Sequence, residues 1–206
     1  TNRSYFPDNR MNSKGHAFMV WDNRSAAGIS HVWFSENKTP ADKLAWTQTL
    51  DVSGDTGTSD NYGFAYPRIA VDGDDNVYVC WLQNPGNWET FFRKRIKNKW
   101  IGRENISETA GKSARSTIAV SQRTGEIYIA WAENTTTGWS VFMKTFTNQN
   151  PQKKWKWGEA VNMTPDSQTA DYPHLYADAS GGIHLVYTSN KSNVYQIWYT
   201  GKLGEV

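Results

Sequence analysis

The sequence predicts an all-β chain of the β-propeller class. Three observations carry that prediction. One hairpin is written four times, an aromatic residue closes it each time, and helix formers are sparse beside Trp, Tyr, Thr, Val, Asn and Gly. "YPRIAVDGDDNVYVCW" runs from Tyr66 to Trp81, "RSTIAVSQRTGEIYIAW" ends at Trp131, "YPHLYADASGGIHLVY" ends at Tyr187 and "GHAFMVW" ends at Trp21. The closing aromatics are about fifty to sixty residues apart, the period of propeller blades.

Each copy opens on a strand that leads into a tight turn. Pro7, Pro67 and Pro173 stand at the same distance before their aromatic, and Thr117 takes that place in the third copy, allowing one extra residue in its turn. The second strand ends on the aromatic. A polar loop follows, "DNRSAAG", "LQNPGN", "AENTTTG" or "TSNKSN". The third strand alternates: "ISHVWFS", "ETFFRKR", "WSVFMKTF", "YQIWYTG". A turn then leads to a short fourth strand opening on Trp46, Trp100 or Trp157. Four antiparallel strands joined by short turns make one blade. Blades stack face to face, so the inner strands are expected to be apolar on both faces and the outer strand half polar. Ile69, Ala119 and Leu175 are placed on innermost strands, and Trp46, Trp100 and Trp157 on outer ones.

The blades fall at residues 5–60, 61–113, 114–170 and 171–206, the last one incomplete because "QIWYTGKLGEV" is followed by no Trp-led strand. At the other end, Thr1 to Tyr5 are left over. Two readings stay open. The chain is a four-bladed ring closed by that short segment, or it is part of a larger propeller. The second is preferred, because free repeat ends leave edges that need capping.

Composition excludes several classes. The chain has 206 residues and a net charge of +2, so it shows no electrostatic footprint for nucleic acid. "FFRKRIKNKW" mixes basic and aromatic residues, but it alternates like a strand with one basic exposed face. Cys80 is the single cysteine, which excludes an intrachain disulfide. No apolar run is long enough to span a membrane and no signal peptide opens the chain, as in a mature, processed or excised protein. The N-x-S/T pattern occurs at Asn2, Asn23, Asn37, Asn105, Asn134, Asn162 and Asn190, which points to an extracellular or cell-surface glycoprotein. The competing account is that Asn, Ser and Thr all favour turns and so fall together.

No cofactor or metal is expected. "DGDDN" (Asp72 to Asn76) reads as an Asp/Gly/Asn turn rather than a calcium loop. His16, His31, His174 and His184 show no ligand spacing. Functional residues are sought instead in the loops between blades and after second strands, which open on one face of a propeller. They supply Tyr66, Arg68, Trp88, Arg115, Trp139, Tyr172 and His174, with Tyr62, Phe64, Asp22, Arg24 and Asp171 beside them. Aromatic rings offer a platform to the apolar face of a sugar, and Arg, Asp and His orient its hydroxyls or a carboxylate. Asp8, Asp22 and Asp171 are the carboxylates that could serve in glycoside cleavage.

The pattern P-R-I-A-V-D followed by V-Y-V-x-W, then a basic turn with Trp, then x-V-N-x-S/T, resembles sialidase-like propellers of the BNR-repeat type. The matching stretches are "YPRIAVDGDDNVYVCW" with "NKWIGRENIS", and "EIYIAW" with "KWGEAVNMT". The resemblance implies a propeller and a glycan ligand. In sialidases three arginines clamp a carboxylate beside a Tyr/Glu nucleophile pair and an acidic Asp, and Arg68 stands near the place of an early one. The Asp box of that family, S-x-D-x-G-x-x-W, is not intact: the corresponding turns read "FSENKTPADKLAW", "RIKNKW" and "TFTNQNPQKKW". The expectation is therefore an extracellular carbohydrate-binding or surface-interaction module, its partners a glycan or neighbouring protein subunits. The alternatives are a glycoside hydrolase with a divergent site and a purely structural subunit of a surface assembly.

Overall fold

The computed structural model describes residues 3–39, 41–54, 65–148, 155–165 and 169–202. Within them every regular element is a strand. These are β1 (Arg3–Met11), β2 (Ala17–Arg24), β3 (Ser30–Asn37), β4 (Leu50–Asp51), β5 (Arg68–Val71), β6 (Val77–Gln83), β7 (Glu89–Ile96), β8 (Lys99–Trp100), β9 (Glu104–Asn105), β10 (Ser113–Val120), β11 (Ile127–Thr135), β12 (Gly138–Asn148), β13 (Trp155–Trp157), β14 (Val161–Asn162), β15 (Ala170–Ala177), β16 (Ile183–Ser189) and β17 (Gln196–Lys202). They pair in four antiparallel sheets, β1-β2-β3-β4, β5-β6-β7-β8, β10-β11-β12-β13 and β15-β16-β17, with β9 on β7 and β14 on β12. Each sheet is a propeller blade, and the chain is all-β as its repeat predicts. It divides into two compact units, Thr1–Glu108 and Thr109–Val206, with two blades in each.

The blades stack through apolar side chains. In the first unit Phe18, Val20, Val32 and Phe34 of blade one join Ile69, Val77, Val79, Trp81 and Phe91 of blade two in one core. In the second unit Ala119, Tyr128, Ala130 and Val141 of blade three meet Leu175, Ile183, Leu185 and Tyr187 of blade four. Every residue of β6 is buried, as are the first seven of β11, so both faces of these strands are covered. By contrast β2 and β16 keep a half-buried or exposed residue at every second position, so only one face of each is fully covered.

A backbone device recurs in all four copies. Phe6, Tyr66, Arg115 and Tyr172 have φ of 48°, 44°, 47° and 53°, in the left-handed region that residues with a Cβ seldom adopt. Each precedes the same structural position, held by Pro7, Pro67, Ser116 and Pro173. In blades one, three and four the register shifts there, between Tyr5 and Asp8, Ala114 and Thr117, and Asp171 and His174. In blade two pairing resumes beyond Tyr66, where Leu82 N–H donates to Ala65 O at 2.7 Å. The bulge turns the strand while leaving one side chain per blade at its start. The strain recurs in every blade, so it belongs to the fold.

A second device explains the recurring V-N-x-S/T text. Ser53, Ser107 and Thr164 each use a hydroxyl to accept from the N–H of Val32, Thr90 and Val141 on the third strand, at 3.1, 2.9 and 2.9 Å. The preceding residue, Val52, Ile106 or Met163, donates its own N–H to the carbonyl of that same residue. A hydroxyl thus ends the outer strand where a backbone carbonyl would otherwise continue the ladder.

Three expectations are corrected. Arg3, Ser4 and Tyr5 are not spare: they pair with Arg24, Asn23 and Asp22 beyond the bulge of β1. Ser116, not Thr117, matches the prolines, because the turn between β10 and β11 holds one residue more than its counterparts. Trp46 lies in no strand and is 40% exposed. There the chain is held at the next residue, where Thr47 N–H donates to Glu36 O at 2.8 Å, and pairing begins only at Leu50. The "DGDDN" stretch is the expected turn. Asp72 Oδ1 accepts from the N–H groups of Asp74 and Asn76, and Oδ2 from the Asn76 amide and the Tyr78 hydroxyl. Burial, helped by Asp72, pushes the Tyr78 phenol well above its usual range and keeps it a donor.

Candidate functional site

Of the seven predicted ligand residues, three lie in the first unit and four in the second. Tyr66 is half-buried, with its ring 4.3 Å from that of Phe6. Arg68 is exposed at the start of β5, its backbone opposite Cys80. Trp88 is half-buried just before β7. In the second unit Trp139 is half-buried opposite Asn134, and His174 is exposed opposite Val186. Tyr62 and Phe64 lie outside the described residues.

Arg115 and Tyr172 meet. The left-handed positions of blades three and four place the Arg115 guanidinium 4.1 Å from the centre of the Tyr172 ring. Arg115 Nη1 also donates to Asp171 Oδ2 at 2.8 Å. Asp171 Oδ1 accepts the backbone N–H of Tyr172 at 2.7 Å. The carboxylate therefore fixes both the arginine and the turn that carries the tyrosine. Thr188 donates its hydroxyl to Asp171 O at 3.0 Å and ties β16 to the same corner.

These residues line an open cleft of about 430 Å³, completed by Thr169, Tyr195, Gln196 and Ile197. The volume is within the usual range for small-ligand sites. The sequence reading missed Tyr195, Gln196 and Ile197. They belong to the loop after the second strand of blade four and to the start of β17, and the polar run "TSNKSN" before them gives no hint of a tyrosine lining the cleft.

Blade four continues the cleft as an open face. Tyr172, Tyr176, Tyr195, Ile197 and Tyr199 are all at least 60% exposed. Register places His174, Val186 and Tyr199 in one row across the sheet, and Tyr176, His184 and Gly201 in the next. His184 stacks on Tyr199 with centroids 5.9 Å apart, and its Nδ1 lies 2.8 Å from the Tyr199 hydroxyl. On its other side His184 Nε2 meets Asp178 Oδ2 at 2.7 Å, and this bond, with those from Ser180 and Gly182, holds the Asp178 carboxyl well below the usual range.

The other carboxylates are engaged in the fold. Asp8 Oδ2 accepts from Ile69 N–H at 3.0 Å while Oδ1 pairs with Arg10. Asp22 is fully buried and accepts from Ala65 N–H at 2.7 Å. Burial pushes its pKa up against that hydrogen bond. Among the described residues no group of three or more His, Cys, Asp or Glu side chains could hold a metal ion.

The glycan-acceptor asparagines mostly organise turns. Asn37 is 2% exposed, donates its amide to Asp42 O and accepts from Thr39 N–H. Asn162 and Asn190 accept from Thr164 and Thr169 N–H, and Asn105 accepts from Glu108 N–H. Asn23 is half-buried in β2, Asn134 is exposed, and Asn2 lies outside the described residues.

No protein-family model matches the chain, and no curated protein matches it in sequence. Solved structures do match. An intramolecular trans-sialidase from Ruminococcus gnavus is 14% identical with a TM-score of 0.61, over 96% of this chain and 44% of that one. An α-L-arabinanase from Penicillium chrysogenum is 14% identical with a TM-score of 0.61, over 97% of this chain and 63% of that one. An endo-arabinase from Bacteroides thetaiotaomicron is 12% identical with a TM-score of 0.53, over 97% of this chain and 75% of that one. This chain thus spans less than half of the trans-sialidase and three quarters of the endo-arabinase. At such identities the likeness is one of fold, shared with sialidases and with other carbohydrate-active propellers alike.

Proposed function

We propose that the chain is a carbohydrate-binding module and that the Arg115–Asp171–Tyr172 cleft holds the ligand. The observation that carries this reading is the juxtaposition itself: an ion pair fixed against an exposed tyrosine ring, at the mouth of an open cleft. Fold neighbours named for their action on sialosides and arabinans support the ligand class. Asp171 already serves Arg115 and the Tyr172 amide, an arrangement for orienting hydroxyls rather than for passing protons between two carboxyl groups.

Arg115→Ala is expected to weaken glycan binding roughly ten- to a hundredfold, the loss of a charge-assisted contact. Calorimetric titration checks it, with circular dichroism and the unfolding midpoint as controls. An unchanged affinity would overturn the assignment of the cleft.

An extracellular location is part of the same proposal and rests on the acceptor pattern, for which the exposed Asn134 is the best-placed site. Intact-mass measurement of native material is expected to show heterogeneous additions to the 23.4 kDa chain, removed by deglycosylation. The bare mass alone would refute it.

A further inference from the structure

We infer that the ligand is a chain of neutral sugars that runs from the cleft along the open face of blade four. The inference rests on the carbohydrate-binding reading and adds the charge and length of the ligand.

Charge is set by the ion pair. The Arg115 guanidinium is neutralised by Asp171 at 2.8 Å and covered on one side by Tyr172. The remaining lining residues, Thr169, Thr188, Tyr195, Gln196 and Ile197, bring no further charge. A carboxylate or sulfate entering the cleft would compete with Asp171 for the same guanidinium and meet its charge at close range. Further along the face, Asp178 carries a second negative charge beside His184. A hydroxyl has no such conflict. It can accept from the arginine and donate to the carboxylate, and a vicinal pair can do both at once.

Length follows from the two faces of one sheet. The covered face of blade four presents Leu175, Ile183, Leu185 and Tyr187 to its neighbour. The open face presents Tyr172, His174, Tyr176, His184, Thr188 and Tyr199, mostly rings with polar tips, with the aliphatic Val186 and Ile197 among them. A surface built to meet another apolar blade would repeat the first composition, whereas sugars need flat apolar area and wet edges together. Thr188, opposite Ile197 at the cleft, and His184, whose ring lies between those of Tyr176 and Tyr199, are four residues apart on β16, about 13 Å of strand. One sugar ring does not cover that distance.

The test is calorimetric titration of the full chain with linear neutral oligosaccharides of one to four residues (gluco-, xylo- and arabino-series). Trigalacturonate and sialyllactose are titrated at low and high salt for comparison. The expected result is neutral binding that tightens about tenfold or more from monomer to trimer. Tyr199→Ala should weaken the trimer roughly five- to thirtyfold with little effect on the monomer, and Tyr199→Phe should restore most of it. Tighter, salt-sensitive binding of the acidic sugars would overturn this inference and leave the carbohydrate-binding reading standing. Neutral binding without dependence on length or on Tyr199 would overturn the extended path. Binding of neither class, or self-association abolished by Tyr199→Ala, would overturn the underlying reading as well.

Discussion

Arg95→Ala is expected to lower the unfolding free energy by about 3–5 kcal/mol, read as a fall in the urea midpoint with an unchanged slope. Arg95 on β7 is 5% exposed and donates through two nitrogens to both carboxylate oxygens of Glu36 on β3, at 2.9 and 2.7 Å. The pair joins blades one and two. Its guanidinium also lies 5.2 Å from the Phe34 ring centre and donates to Asn98. Removing the arginine leaves a carboxylate that is 8% exposed without its bidentate partner. Lys38, 3.7 Å from Glu36, compensates in part and holds the effect towards the lower figure. The mechanism makes a second demand. Glu36→Met combined with Arg95→Met should recover most of the loss, because apolar groups of similar volume carry no desolvation cost. A double variant as unstable as Arg95→Ala would show that the pair acts through shape rather than charge.

This pair also marks what the sequence could not reveal. Strand order within each blade was legible because it follows from local period and turn chemistry: Trp81 closing "NVYVCW", Asp72 opening its turn, Ser107 ending "RENIS". All of these depend on neighbours a few residues away. Glu36 and Arg95 are 59 positions apart and meet only when two blades stack. Arg115 and Tyr172 likewise come from separate blades, and each was legible as a loop residue but not as a partner of the other. The prolines showed where each first strand bends. They did not show that the residue before them is left-handed, and at Arg115 no proline marks the place. Trp46 was misplaced because an aromatic after a basic turn looks like a strand opening, while Thr47, which holds the chain there, looks like any polar residue. Several acceptor asparagines also hold turns, which the sequence could not show, and Asn37 does so while buried.

Trp81→Ala is expected to cost about 3–5 kcal/mol, the range for deleting a large buried aromatic. Trp81 is fully buried and belongs to the core formed by blades one and two. Its ring stacks on Phe91 at 6.1 Å with 26° between planes. The indole N–H donates to Gln83 Oε1 at 3.3 Å, yet that oxygen also accepts from Arg103 at 3.3 Å. The acceptor therefore stays paired when the indole is gone, and the loss is one of packing rather than of an orphaned polar group. This separates two variants. Trp81→Phe keeps a ring against Phe91 and should cost distinctly less than Trp81→Ala, since it leaves the smaller cavity. If the hydrogen bond were dominant, the two would be equally unstable. Denaturant unfolding followed by far-ultraviolet circular dichroism reads the difference, and it avoids tryptophan fluorescence, which both substitutions alter.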